Sequence, residues 1–425
     1  MPKSSPKFSM LVAPILSMAI LTVGNTFYTT YTTIELSHMG ASNWVVGIVS
    51  SAYFAGMMFG SYFTQKLILR IGYIRGYVLF ASVMAVGSML QGVIYSPLAW
   101  AGFRFICGYS LAGLFIVVES WCLEGAGSEY KGRVLSIYLL IYYFFQASGQ
   151  FMLNIEFASV LLAFCIISML ASISIIPVSI TRFEMPKQEK TELLSPFVLF
   201  KKAPLGIWAA FSSGVILGCI YTIYPLFLKQ ANYPKEAVAS MMFAIILGGV
   251  ILQVPIGKLS DFNDRRKVLL GVLISALVIS ILIGILPHAF WQMMIFSFIL
   301  GGLTFTIYPI SISYSSDYLD ASQLVGILGL LALSYGIGSM IGPVLVTWFM
   351  SIFGPYGFFT FIGLVCVFLI IYTAWRLYAN VKVVKEEDKV QFQSVAPEAS
   401  VATEVVYEQQ LIEEKISTEE VQNKH

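Results

Sequence analysis

Twelve apolar runs of about twenty residues, distributed along residues 10–378, restrict this chain to very few folds. Each run is long enough to cross a hydrocarbon core of ~30 Å as a helix. A buried soluble core does not need a dozen of them, and a β-barrel would show short alternating segments instead. Composition agrees: 58% of the residues are hydrophobic and only 11% are charged, against about 25% charged in soluble domains. Mean hydropathy is +0.81. The sequence reads as an all-α membrane protein. Spans are expected near 10–34, 44–65, 76–95, 98–121, 132–153 and 158–180, then near 204–228, 236–257, 267–286, 290–314, 321–349 and 356–378.

The two sets of six are copies of one another. Tyr28-Thr-Thr-Tyr31 recurs as Tyr221-Thr-Ile-Tyr224, Gly108 as Gly301, and Gly149-Gln150 as Gly342-Pro343, at a constant offset of 193. Four boundaries follow: a bundle over 1–180, a polar linker over 181–203 carrying five Lys or Arg, a second bundle over 204–378, and a tail over 379–425. The tail is rich in Glu, Gln, Lys and Val, and is expected to be disordered and cytoplasmic.

Lysine and arginine set the orientation. With the N-terminus cytoplasmic, 22 of the 25 fall on the inner side, only Lys229 and Lys235 fall outside, and Arg104 lies within a span. Both termini are therefore expected in the cytoplasm, and the halves enter the membrane in the same direction. The N-terminal run is read as an uncleaved first span rather than a leader. A net charge of +2 without a basic domain argues against a nucleic-acid partner. The five cysteines lie in apolar spans without paired spacing, so neither cofactor nor metal is implied. No ATP-binding loop or nucleophile–base pair is visible, which argues against an enzyme or a primary pump.

Two basic loops occupy symmetric positions. One reads Gln65-Lys66-Leu67-Ile68-Leu69-Arg70-Ile71-Gly72 and continues to Arg75. The other reads Gly257-Lys258-Leu259-Ser260-Asp261 and continues to Asp264-Arg265-Arg266-Lys267. Both resemble the loop signature of the major facilitator superfamily, and neither copy is complete. Gln253 to Asp261, Val118-Glu119-Ser120-Trp121, Gly132-Arg133 to Tyr138, and Tyr308-Pro309 with Tyr314 and Asp317 are similar to the YcaD-like bacterial permease branch. The resemblance covers about residues 10–378. It implies the major facilitator fold, twelve transmembrane helices as two six-helix bundles related by a pseudo-two-fold repeat, in the bacterial inner membrane. It also implies a permease that moves a small-molecule substrate by alternating access. A monomer in the lipid bilayer is expected. In place of the Gly-Pro pattern of many antiporters, the fifth helix reads Gln146-Ala-Ser-Gly149-Gln150, so drug/proton exchange is not indicated.

Polar groups inside spans are expected to face a cavity or a partner. Arg104 with Gly108 matches the superfamily's fourth-helix Arg-x-x-x-Gly feature; the structural alternative for Arg104 is snorkelling, or pairing with Glu35 or Glu156. Asn25 lies mid-span, and Gln146 and Gln150 share a helix face. With Tyr28, Tyr31, Tyr221, Tyr224, Gln253, Tyr308 and Tyr335 they form the expected substrate cavity. Arg70, Gly72, Arg75, Glu119, Glu124, Gly257, Asp261, Arg265 and Asp317 form the expected cytoplasmic gate, with Glu119 paired to Arg70 or Arg75. Glu119 and Arg104 are the candidates for coupling to H+, as in symport. A polar, amphipathic or anionic solute fits this set. Export of metabolites or toxic compounds stays open, as does a solute sensor that signals through its tail.

Overall fold

The computed structural model describes residues 8–126, 130–181, 203–286, 289–318, 321–378 and 392, with backbone alone at 8–10 and 321–325. The expected linker and tail lie outside these residues, apart from Thr181, Ala203 and Phe392. Among the described residues twelve helices are long and apolar enough to cross a membrane. They are α1 Phe8–His38, α2 Asn43–Ile71, α3 Tyr73–Val93, α4 Pro97–Ala126, α5 Lys131–Gly149 and α6 Val160–Ile173. The second half has α7 Pro204–Thr222, α8 Lys235–Phe262, α9 Arg265–Ile285, α10 Phe290–Ser316, α11 Ala321–Phe353 and α12 Gly357–Tyr378.

Local chemistry sets the helix ends and breaks. Pro225 has no N–H to continue the ladder, and α7 breaks at Ile223 before resuming as a short segment, Tyr224–Gln230. Pro177 similarly follows the break of α6 at Ser174. Asp264 caps α9 by accepting from the Arg266 backbone N–H at 3.0 Å. Gly72 joins α2 to α3 in a single residue at φ +84°, a conformation that needs glycine. Hydroxyls inside the spans bond back to their own helix, as Thr22 does to the Met18 carbonyl at 2.7 Å and Thr304 to that of Leu300 at 2.8 Å.

The repeat is visible in how helices touch. A methyl on Gly56 would meet the Phe105 carbonyl, and one on Gly108 would meet that of Tyr53, so α2 and α4 cross in backbone contact. In the second half Gly248 faces the Phe298 carbonyl and Gly301 that of Ile245, giving α8 and α10 the same crossing. Between the halves α2 runs along α11, and α5 packs on α8. The face holding Arg70, Arg75, Arg265 and Arg266 is called the basic face below. The opposite, far face holds His38, Tyr95 and Lys229.

At the far face the halves are tied together. Lys229 Nζ donates to the Ile34 carbonyl at 3.1 Å, and Gln230 Nε2 donates to Asn43 Oδ1 at 2.7 Å. Gly47 admits Thr347 and the Pro343 carbonyl of α11 at the same level.

Candidate functional site

The largest hollow, ≈350 Å³ between α1 and α5, is lined by Leu11, Val12, Ile15, Val134, Ile137 and other apolar side chains. It carries no polar group that could recognise a polar solute. A second, central cavity is much smaller, ≈20 Å³, about one water's space. Its wall is chemically rich. From α1 come Asn25, Thr26, Thr29 and Thr30, from α2 Tyr53 and Phe54, and from α5 and the turn after it Gln146 and Gln150. The second half adds Tyr221 and Ile246.

Four expected cavity residues therefore line it: Asn25, Gln146, Gln150 and Tyr221. Asn25 Nδ2 donates to the Tyr53 hydroxyl at 3.2 Å, and its Oδ1 is buried without a hydrogen-bond partner. Gln146 Nε2 donates to the Tyr142 hydroxyl at 3.1 Å, and its Oε1 also lacks a partner. Gln150 accepts from Thr30 Oγ1 at 2.9 Å. Two amide oxygens are thus left with acceptor capacity at the cavity, an expensive state in a buried setting.

Arg104 lies directly behind this wall, with 1% of its surface exposed. Its guanidinium carbon sits 4.5 Å from the Tyr28 ring centroid and 4.1 Å from that of Tyr53, so it is held between two aromatic faces. Nη2 donates to Thr29 Oγ1 at 3.1 Å, and Nη1 has no partner. Among the described residues no Asp or Glu pairs with it. The pairing with Glu35 considered from sequence does not form, because Glu35 is held by Tyr95 and His38. An arginine stays protonated in any protein environment. The cavity wall therefore contains one uncompensated positive charge.

Tyr28 is fully buried, and its hydroxyl donates to Gln91 Oε1 at 2.5 Å. Gln91 Nε2 passes the chain on to Thr32 Oγ1 at 3.1 Å. Gln91, Tyr53 and the α1 threonines were missed from sequence. The available signal was the spacing of Asn25, Thr29, Thr32 and Thr33 along one helix. The remaining expected residues lie elsewhere. Tyr31 joins Phe27, Phe157 and Phe164 in an aromatic cluster. Tyr224 bonds Ser297 at 2.6 Å and stacks on Phe227. Tyr308 and Tyr335 pack on each other at 5.1 Å, and Gln253 is buried in α8; none of the three is on the wall. Each of these side chains found its neighbours within its own half.

At the basic face the expected gate residues divide into separate groups. Arg265 Nε donates to Asp317 Oδ2 at 2.7 Å, and Nη1 donates to Asp261 Oδ1 and Ser260 Oγ at 3.1 Å each. Glu124, the repeat counterpart of Asp317, instead accepts from the Tyr73 hydroxyl at 2.5 Å. Tyr73 opens α3 as Arg265 opens α9, so the acid–partner geometry repeats while its charge does not. Arg70 and Arg75 are exposed, whereas Glu119 is wholly buried, and the expected pairing between them is not made. Gly257 receives the Phe392 ring rather than a neighbouring helix, and Gly72 acts as the α2–α3 turn.

Comparison with known proteins follows the same lines. The family model of the Major Facilitator Superfamily matches residues 12–261 and 207–412. The chain is 31% identical over 328 residues to the uncharacterized MFS-type transporter YcaD of Escherichia fergusonii, covering 77% of this chain and 85% of that one. It is also 31% identical over 336 residues to an uncharacterized MFS-type transporter of Enterobacter sp. (strain 638), covering 79% and 87%. Among solved structures, the nucleoside transporter NupG superposes with a TM-score of 0.74 at 14% identity, over 88% of this chain and all of that one. An inward-facing, unoccupied bacterial homologue of the human lysosomal transporter Spinster gives 0.70 at 15%, over 93% and 100%. These structural likenesses show the fold. With twelve apolar helices in two matching halves, and relatives that are transporters rather than enzymes, the chain belongs to the Major Facilitator Superfamily.

Proposed function

We propose that the protein is a secondary active transporter of the bacterial inner membrane that carries a small anionic solute by alternating access. Its basic face is cytoplasmic. One observation carries the substrate class: Arg104 is buried beside the central cavity with a free Nη1 and no carboxylate partner. Burying an ion without a counter-charge costs several kcal/mol, so an incoming anion supplies what the fold withholds. The unpartnered oxygens of Asn25 and Gln146 favour a solute that carries hydrogen-bond donors beside its negative group. A cavity of ≈20 Å³ holds no metabolite. Loading therefore requires the halves to part around α1, α2, α5 and α7, as rocking bundles do.

The test is a thermal-shift screen of purified protein against acidic, zwitterionic and neutral metabolites, followed by uptake of the hits into proteoliposomes. Stabilisation by an acidic or zwitterionic compound that disappears in Arg104→Ala is expected. If hits are confined to neutral compounds, or if Arg104→Ala transports every acidic hit at the wild-type rate, the anionic reading fails.

A non-transporting sensor that signals through its tail has one supporting observation, the Phe392 backbone N–H donating to Asp261 Oδ1 at 3.0 Å. Deleting residues 380–425 separates the two readings, since a transporter retains flux and a tail-signalling sensor loses its output.

A further inference from the structure

A second polar cluster lies at the far face, outside the central cavity. Glu35, near the end of α1, is 7% exposed. Its Oε1 accepts from the Tyr95 hydroxyl at 2.6 Å, and its Oε2 lies 3.2 Å from Nδ1 of the half-exposed His38. The next carbonyl back along α1, that of Ile34, is where Lys229 of the other half donates. Two further contacts between the halves, Gln230 with Asn43 and Gly47 with Thr347, close the same level.

The charged and titratable groups facing Glu35 come from three elements: Tyr31 and His38 on α1, Tyr95 on the α3–α4 loop, and Lys229 on the segment after α7. Their roles differ. Tyr95 stays a donor, because desolvation and then its bond to Glu35 push its phenol up to about 12. Lys229 is pulled two ways, with burial lowering its proton affinity and the Glu35 carboxylate raising it. Of the four, only Lys229 belongs to the second half. It is therefore the group that must leave when the far face opens.

We propose that Glu35 is a proton-binding site that couples the outside pH to opening of the far face. With the face closed, the positive Lys229 stands near the Glu35 carboxylate and favours its ionised form. Opening carries Lys229 into water with its three protons and leaves a buried carboxylate facing Tyr95 and His38. A proton from the outer solution then adds to a Glu35 oxygen, neutralising it, and returns to solution when Lys229 comes back. The open form holds one more proton than the closed form, so acid on the outside favours opening. By linkage the open-to-closed ratio rises by no more than about tenfold per pH unit. The inference rests on the alternating-access reading and not on the identity of the solute.

The experiment needs no substrate. Spin labels are placed at Ser42→Cys and Glu236→Cys, exposed at the far-face starts of α2 and α8, and in a second sample at Lys66→Cys and Lys258→Cys on the basic face. The half-buried Cys165 is replaced by Ala. Interlabel distances are measured for the full chain in nanodiscs, from about pH 8 to about pH 5, a range that spans the ordinary histidine and approaches the carboxylate values. A far-face population at longer distance should grow as the pH falls. Glu35→Gln should remove that growth, Lys229→Gln should reduce it, and His38→Gln should leave it in place. Growth that persists in Glu35→Gln, or that disappears in His38→Gln, overturns the proposal. So does a far-face distance that ignores pH. If the basic-face pair still shows two populations in that last case, alternating access stands and only the proton site is lost. If both pairs show a single distance throughout, the transport reading falls as well.

Discussion

Two buried arginines in this protein should respond to the same substitution in different ways. Arg104 and Arg265 are 1% and 2% exposed. Arg265→Met leaves behind Asp317, whose side chain is 4% exposed, together with Asp261. Removing one partner of such a pair destabilises by ~3–5 kcal/mol. Arg104→Met leaves no carboxylate behind. It forfeits a charge-assisted bond to Thr29, worth ~1.5–3 kcal/mol, and contact with two ring faces, each worth up to ~2 kcal/mol when desolvated. Against that, the fold no longer buries an uncompensated ion, a relief of several kcal/mol. The terms oppose each other and are of equal order, so Arg104→Met should stay within ~2 kcal/mol of wild type. SDS-titrated unfolding in mixed micelles, followed by tryptophan fluorescence, measures both variants on one scale. An anionic ligand at one hundred times its Kd should add ~2.7 kcal/mol to the wild type and to Arg265→Met in its folded fraction, and nothing to Arg104→Met. If Arg104→Met proves as destabilising as Arg265→Met, Arg104 has a counter-charge in the membrane-embedded protein, and the case for an anionic solute collapses.

Other substitutions test the packing and the caps. Gly108→Ala and Gly301→Ala each drive a methyl into a facing backbone carbonyl and should cost ~1–3 kcal/mol in the same unfolding assay. Gly271→Ala in α9 has open space around it and should be neutral or stabilise by up to ~1 kcal/mol. Tyr28→Phe strips the donor from Gln91 Oε1 and should cost ~1–3 kcal/mol, with Gln91→Leu in the same chain recovering part of it. At the α9 cap, burial pushes the Asp264 carboxyl up, but the side-chain and backbone bonds from Arg266 outweigh it and hold it below the usual carboxylate value. The stability this gives is present above the unfolded value of ~3.9 and is lost as pH falls through the lower folded one. Asp264→Ala should therefore cost ~0.5–2 kcal/mol at neutral pH, and its melting point should converge on the wild type's as the pH falls below ~4.

The architecture could be read from the chain because its determinants are coarse. Apolar length, lysine and arginine bias and a constant offset each survive an error of several residues in a boundary. Within the site, Asn25, Gln146, Gln150 and Tyr221 were legible because an amide or phenol in mid-span has few ways to be satisfied. Tyr224, Tyr308 and Tyr335 carry the same signal and answer it inside their own bundle, through Ser297 or a neighbouring ring. Helical periodicity gives the face a residue occupies but not which neighbour that face meets. Thr26, Thr29 and Thr30 were passed over because a threonine can always bond back to its own helix. Only the placement of Arg104 and Gln150 shows that Thr29 and Thr30 are committed elsewhere. The Glu119–Arg70 pairing failed for a related reason: helix phase put Glu119 inside the bundle and both arginines outside it.

The repeat makes the chemical division of the site explicit. The offset of 193 carries Arg104 onto Ser297 and Gln150 onto Pro343. Where the first half holds a guanidinium between two rings, the second holds a serine hydroxyl 2.6 Å from the Tyr224 hydroxyl, neutral and mutually satisfied. Where Gln150 accepts from α1, Pro343 offers only its carbonyl, taken by Thr347 at 2.8 Å. The polar wall consequently belongs almost wholly to α1, α2 and α5, and the second half contributes Tyr221 and Ile246. In a rocking-bundle cycle a solute held this way travels with the first half, and the second half works as an apolar cover that moves across it. Substitutions that change which solute binds should then cluster in α1, α2, α4 and α5. Those at Tyr221 and Ile246 should change the rate of exchange between the two faces more than they change affinity.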